Sequence, residues 1–174
     1  MRTAKEIAVV SLFVALLIGG QLALSMISGI EVVTVLAVTF CYRFGFVRGA
    51  VALTAFSLLR CFLFGFMPNV IILYLLFYNI LALVFSLLGR AFNRKVSVKA
   101  IVCLTVTAVI FTVFFTALDN VVTPLFYGFS NRVWKIYATA SFATVIPQVI
   151  CSAITVPLLS YPLIKIYKTI KLPQ

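Results

Sequence analysis

The residues able to do chemistry in this chain are few, and their types argue against catalysis. Histidine is absent, so the usual general base is missing, and the acids are Glu6, Glu31 and Asp119 alone. Glu6 is predicted far from the other two, and Glu31 and Asp119 are more naturally part of structural or ligand-orienting ion pairs than of an acid–base mechanism. The chain also lacks the phosphate-binding loop GxxxxGK[ST]. We therefore expect no enzymatic activity and no cofactor.

Polar side chains inside apolar segments point instead to binding. Arg60, Asn79 and Gln148 lie where an unpaired polar group is costly, so each is expected to have a partner or to line a wet cavity. Aromatic and polar residues predicted at the same side of the membrane complete a candidate substrate site. This site comprises Glu31, Arg60, Tyr74, Tyr78, Asn79, Asp119, Asn120, Trp134, Lys135 and Gln148. The set is typical of a small-molecule pocket, whereas an interfacial belt explains the Tyr and Trp residues equally well.

The formal charges of this site leave its ligand open. Glu31 is positioned to pair with Arg60, and Asp119 with Arg132 or Lys135. The small positive excess is compatible with an anionic or zwitterionic ligand.

Metal chemistry is not indicated by the four cysteines. Cys41, Cys61, Cys103 and Cys151 occur singly, without CxxC spacing and without histidine partners. We interpret them as small buried hydrophobic residues and expect no metal site.

The elements that must position these residues are apolar helices. The chain is 64% hydrophobic, and about 20 residues of helix cross a bilayer. Six helices are predicted over Glu6–Met26, Ile30–Phe46, Gly49–Phe64, Val70–Phe92, Val98–Leu118 and Ala138–Ile164. We expect the polar stretch 119–137 to form the longest loop, and Pro147 and Pro157 to kink the last helix. The first segment is too long for a signal-peptide core and is predicted to remain as a helix.

The basic residues predict the orientation of these helices, because loops rich in Lys and Arg stay in the cytoplasm. With six crossings, one side receives eleven of the fourteen basic residues and the other side two. The eleven are Arg2, Lys5, Arg43, Arg48, Arg90, Arg94, Lys95, Lys99, Lys165, Lys168 and Lys171. The prediction is a single-domain, all-α polytopic membrane protein over residues 1–174, with both termini cytoplasmic. The net charge of +11 is thereby assigned to topology and lipid headgroups, not to nucleic acid.

Small residues form a continuous face on the first helix. Ala4, Ala8, Ser11, Ala15 and Gly19 are separated by three or four positions, which keeps them on one side. In lipid such a face lets another helix approach closely. Packing within the bundle and docking onto a different membrane protein explain the spacing equally well.

The chain resembles the S component, the substrate-binding subunit, of energy-coupling factor transporters. The resemblance lies in the six helices, the small-residue face, the stretches 29–36 and 44–50, and the segment 65–79 with Gly65, Pro68, Tyr74, Tyr78 and Asn79. It implies a subunit of a bacterial plasma membrane that captures a water-soluble vitamin or related micronutrient outside. It further implies docking through the first helix onto a transmembrane coupling subunit, which two cytoplasmic ATPases drive, so that ATP is used by partners and not by this chain.

The family's docking pattern matches in part. Ala4 and Ala8 form a strict AxxxA pair, whereas Ser11, Ala15 and Gly19 match only as small residues at the same spacing. The connection between the first two helices, often a gate in the family, is short here.

Two other classes of membrane protein compete with this interpretation. A structural subunit of a cell-envelope or cell-shape complex would use its helix faces for assembly and need no ligand. A stand-alone secondary transporter is disfavoured because repeated halves with broken helices are not evident. The polar cluster distinguishes the first alternative, since only a solute-binding subunit requires a pocket.

Overall fold

Six α-helices make up the fold, seen in a computed structural model that describes residues 3–26 and 32–170. They are α1 (Ala4–Leu24), α2 (Val33–Phe44), α3 (Phe46–Phe64), α4 (Pro68–Ala91), α5 (Val98–Tyr127) and α6 (Asn131–Thr169). Five of them, all except α2, are long and apolar enough to cross a membrane. The predicted class, an all-helical polytopic membrane protein, is confirmed at this level.

The short helix α2 forms the centre of the bundle. It packs against each of the other five helices, and ten of its twelve residues are buried. A helix that is apolar on all sides is stable only when other elements surround it. Phe40 of α2 stacks on Phe13 of α1 with ring centroids 3.8 Å apart and meets Tyr167 of α6 edge-on. The core of the molecule is therefore built around α2.

Close approach between helices depends on two glycines that face α2. A Cβ added at Gly89 of α4 would lie 2.1 Å from the backbone oxygen of Tyr42. A Cβ added at Gly49 of α3 would lie 2.6 Å from the sulfur of Cys41. The backbones of α3 and α4 thus approach α2 more closely than any larger residue would permit.

One end of the bundle collects the first turn of α1, the α2–α3 junction, the α4–α5 turn and the last turns of α6. We call it the inner end. Arg48 forms a salt bridge with Glu6, the Tyr42 hydroxyl donates to the Lys95 carbonyl at 2.7 Å, and the Tyr167 ring packs on Phe44. The opposite end, with Pro68 and the α5–α6 turn, is the outer end.

The outer end differs from the sequence prediction. The stretch 119–137, expected to be a loop, is almost entirely helical, because α5 continues to Tyr127 and α6 begins at Asn131. Polar groups in this stretch form hydrogen bonds between α5 and α6. These bonds hold the two helices together beyond the apolar region. The actual turn is residues 128–130, where Gly128 has a φ of 62°.

Two further boundaries differ. Helix α6 has 39 residues and runs through Pro147, Pro157 and Pro162, so it is about 58 Å long, well beyond a hydrocarbon core of about 30 Å. Helix α2 is described from Val33 and ends at Phe44, two residues before the predicted end, whereas its predicted start at Ile30 falls in residues 27–31, outside the described part of the chain.

Candidate functional site

A small cavity lies between α2, α4, α5 and α6, on the outer side of the bundle's middle. Its volume is about 20 Å³, and it is called the central cavity below. It is lined by Thr34, Tyr74, Phe77, Tyr78, Thr112, Phe115 and Gln148. Three of the predicted site residues, Tyr74, Tyr78 and Gln148, are thus brought together.

Aromatic rings form most of the cavity wall. The Tyr74 ring meets Phe115 edge-on with centroids 5.6 Å apart and tilts against Tyr78 at 5.2 Å. Phe77 contacts Phe115 at 4.9 Å, and Tyr78 contacts Phe56 of α3 at 5.6 Å. Edge-to-face rings at these separations attract one another, so the wall is a continuous aromatic cluster joining α3, α4 and α5.

Arg60 adds a positive charge beside this wall. Its guanidinium carbon lies 4.4 Å from the centroid of the Tyr74 ring and 4.8 Å from that of Phe64. Its Nε donates a hydrogen bond to Gln21 Oε1 of α1 at 3.1 Å. Arg60 therefore has cation–π and amide partners within the described residues. Its predicted partner Glu31 lies outside that part of the chain.

The polar groups of the central cavity differ in what they bond to. The Thr112 hydroxyl donates to the Ala108 carbonyl at 3.0 Å and lies 3.1 Å from the Ser152 hydroxyl. Gln148 is half-buried, and within residues 3–26 and 32–170 its amide forms no hydrogen bond. The Gln148 amide therefore retains hydrogen-bonding capacity at the cavity, which a ligand can use.

The central cavity is too small to hold a drug-sized ligand without a change in its walls. About 20 Å³ accommodates roughly one water molecule, whereas sites for drug-sized ligands have volumes of roughly 300–1,000 Å³. Binding of a larger molecule requires the aromatic side chains to rotate and the helices around them to separate. The cavity marks where polar and aromatic groups converge, not the shape of a bound ligand.

Asn79 lies on a different face of α4 from the central cavity. Its Nδ2 donates to the Leu75 carbonyl at 2.8 Å and approaches the Thr54 hydroxyl of α3 at 3.4 Å. The residue follows Tyr78, and one position turns the side chain by about 100°. The Asn79 amide thus has hydrogen-bond partners on α4 and α3.

Asp119 belongs to a second polar network at the outer end. Its carboxylate accepts hydrogen bonds from the hydroxyls of Tyr137 and of Thr123, the latter at 2.6 Å. Thr123 also accepts from Asn69 of α4 at 3.2 Å. Among the described residues the salt bridge between Arg48 and Glu6 is the only one, so the expected pairing of Asp119 with Lys135 or Arg132 is not observed.

Asn120, Trp134 and Lys135 are also separate from the central cavity. The Trp134 indole donates to the Asn120 carbonyl at 2.8 Å, and the Asn120 side chain accepts from Ser141 at 2.9 Å. Lys135 is exposed. Asn120 and Trp134 thereby join α5 to α6, and Asn120 also lines a second cavity of about 230 Å³ between these two helices.

Sequence reasoning missed several residues that the structure places at or beside the cavity: Gln21, Thr34, Phe77, Thr112 and Phe115. Gln21 and Thr112 carry the same signal that identified Gln148, a polar group within an apolar helix. The two phenylalanines carry none, because the chain has 17 of them.

The small-residue face of α1 is exposed along its whole length. Ala4, Ala8, Ser11, Ala15 and Gly19 all face away from the other helices, and no atom lies within 4 Å of a Cβ added at Gly19. The buried side of α1, formed by Glu6, Val10, Phe13, Val14 and Leu17, is opposite. Among the described residues, this face does not pack against another helix of the bundle.

These features define a polytopic α-helical membrane protein with a central aromatic and polar cluster. In comparisons with known proteins, no family model, no curated protein and no solved structure matches the chain.

Proposed function

We propose that the chain is the S component of an energy-coupling factor importer of a bacterial plasma membrane, capturing a water-soluble vitamin or related micronutrient. The observation that carries this proposal is the meeting of polar and aromatic side chains from α2, α4, α5 and α6 at the central cavity, with Arg60 of α3, bonded to Gln21 of α1, against the Tyr74 ring. Gln21, Thr34, Arg60, Tyr74, Thr112 and Gln148 come from α1 to α6 in that order. Structural packing requires no such meeting of polar groups in an apolar interior, where each of them is costly.

The cluster has the chemistry of a site for an aromatic or partly apolar molecule with polar edges. Tyr74, Tyr78 and Phe115 supply ring faces and edges, Gln148 supplies an amide, and Arg60 supplies a positive charge for an anionic group. The chain does not bind ATP. Release inside depends on docking to a transmembrane coupling subunit through the small-residue face of α1, with two cytoplasmic ATPases supplying the energy.

The proposed topology places six crossings in the membrane with the inner end and both termini in the cytoplasm. Its support is the meeting of the basic segments at one end of the bundle. Single cysteines introduced at Ser97 and Asn131 in a background without native cysteines test it with a membrane-impermeant thiol reagent. Asn131 is expected to be labelled from outside and Ser97 only after permeabilisation. Labelling of Asn131 from the cytoplasmic side alone contradicts the orientation.

A structural subunit of a cell-envelope complex is the competing function, and one observation favours it. The central cavity is only about 20 Å³, and the outer polar network is satisfied within the chain. Such a subunit would bind no solute. The two functions therefore differ in whether the purified chain carries a small molecule.

The test is an untargeted mass-spectrometric survey of small molecules released when the purified protein is denatured. We expect one water-soluble compound, at up to one molecule per chain, that is absent from an unrelated membrane protein prepared identically. This compound, added back to emptied protein, is expected to raise its melting temperature. A preparation that releases nothing and gains no stability from any released compound would favour the structural subunit.

A further inference from the structure

A group of four arginines occupies the inner end of the bundle, outside the proposed solute site. Arg43 is in the last turn of α2, Arg48 in the first turn of α3, Arg90 in the last turn of α4, and Arg94 in the α4–α5 turn. We call this group the arginine cluster. An open cleft of about 450 Å³ is lined by Arg48, Arg90, Asn93 and Arg94. Three separate elements thus direct guanidinium groups at one space.

The backbone holds Arg94 in place over this cleft. Asn93 and Arg94 are consecutive left-handed residues, with φ of 49° and 53°, a conformation that non-glycine residues rarely adopt. Hydrogen bonds from Arg94 N to Gly89 O at 2.7 Å and from the Tyr42 hydroxyl to Lys95 O at 2.7 Å fix the turn. A Cβ added at Gly45 would lie 3.2 Å from Arg94 Nη2, so the guanidinium packs directly on that glycine.

The charges of the arginine cluster are not balanced by the described part of the chain. Glu6 bonds to Arg48, and the other described carboxylate, Asp119, is at the outer end. The Arg43 Nε is buried and has no hydrogen-bond partner among the described residues. Burial lowers the pKa of Arg94, and the positive charges of Arg43, Arg48 and Arg90 lower it further. Binding of an anion stabilises such a group of partly buried positive charges, because it offsets their mutual repulsion.

Apolar surface beside the arginine cluster indicates which anion fits. Leu83 and Leu87 are exposed and lie seven and three positions before Arg90, so they share its face of α4. Val51, three positions after Arg48 on the same face of α3, is 43% exposed. A soluble phosphate would use only the charges. An anionic phospholipid uses both, with acyl chains along α4 and α3 and a phosphate at the guanidinium groups.

We propose that the arginine cluster binds the headgroup phosphate of an anionic phospholipid. Basic pockets between helix ends at the membrane surface are suited to such headgroups, and Arg is the side chain best matched to phosphate oxygens. The site rests only on the membrane class of the protein and is independent of the solute-binding function. By bridging α3, α4 and the α4–α5 turn, the lipid stabilises the inner end.

The test measures lipid binding to the purified protein by native mass spectrometry and by melting temperature in mixed micelles. Phosphatidylglycerol is compared with phosphatidylcholine, and inorganic phosphate and glycerol phosphate are added separately. We expect retained phosphatidylglycerol and a rise in melting temperature that phosphatidylcholine and the two soluble phosphates do not reproduce. Equal stabilisation by inorganic phosphate would overturn the lipid assignment in favour of a free anion.

Variants locate the binding to the arginine cluster. Arg90→Gln is expected to weaken phosphatidylglycerol binding about fivefold, the effect of one basic residue near a membrane surface, and Arg90→Lys less than this. Arg132→Gln, which removes an exposed arginine at the outer end, is the matched control and should leave binding unchanged. Because lipid is counted on folded protein, a loss of stability in Arg90→Gln does not obscure the result. Equal weakening by Arg90→Gln and Arg132→Gln would show binding by net charge alone and contradict the site.

Discussion

At the scale of single residues, the polar groups within the apolar helices divide into those with hydrogen-bond partners and those without one in the described part of the chain. Asn79 and Gln148 illustrate the difference, since both are half-buried amides on long apolar helices. Asn79 donates to Leu75 and Thr54, whereas Gln148 borders the central cavity without a hydrogen bond in the described residues. The sequence identifies both as unusual, but it does not predict which amide finds a partner, because that depends on the rotation of each helix.

This difference predicts opposite effects for two matched substitutions. Gln148→Leu is expected to weaken binding of the released compound by about ten- to a hundredfold, at about 1.4 kcal/mol per tenfold, with the ligand-free melting temperature unchanged. Asn79→Leu is expected to lower the melting temperature, from the loss of about 1 kcal/mol of hydrogen bonding, with little change in affinity. Titration of ligand beside melting curves without ligand separates the two effects.

The opposite result would place the solute site elsewhere in the bundle. If Asn79→Leu lost affinity while Gln148→Leu bound normally, ligand would contact the face of α4 near α3, and the central cavity would be structural.

At the scale of elements, hydropathy predicts which segments are helices but not where they end. The helices α3 and α4 begin within three residues of the predicted positions. In contrast, α5 extends nine residues past Leu118, because Asp119 and Thr123 obtain partners from α4 and α6. Such bonds form between segments that are distant in sequence, and hydropathy contains no information about them. The short α2 was predicted, but its position at the centre of the bundle follows only from the packing of the other helices.

The contact of α4 with α2 predicts that Gly89 is required. Gly89→Ala places a methyl group 2.1 Å from the Tyr42 carbonyl oxygen, so the helices must separate, and we expect a loss of about 1–3 kcal/mol or more. Gly20→Ala is the control, because nothing lies within 4 Å of the added methyl group. Melting temperatures of the two variants in one detergent provide the comparison. A Gly89→Ala protein as stable as the parent would show that the close α2–α4 approach is wrong.

At the scale of the whole molecule, the fold presents two surfaces with different roles in the proposed function. The central cavity is lined by side chains from α2, α4, α5 and α6, while the small-residue face of α1 is turned away from the bundle. The spacing of Ala4, Ala8, Ser11, Ala15 and Gly19 predicts the face, but only the structure shows that it is exposed, because packing and docking surfaces share the same spacing. A surface free of contacts within the described bundle is available for contact with another membrane protein.

The proposed subunit binds its ligand alone but transports it only when docked. The most direct test is a variant that keeps ligand binding and loses uptake. Ala15→Trp is compared with Leu16→Trp, since Leu16 is also exposed on α1 but lies about 100° around the helix. Affinity is measured on the purified chain, and ATP-driven uptake in proteoliposomes containing the coupling subunit and its ATPases. We expect Ala15→Trp to bind ligand normally and to abolish uptake, because the indole holds the partner helix away from contact, while Leu16→Trp retains both. Normal uptake by Ala15→Trp, or a loss of ligand binding in it, would contradict the account.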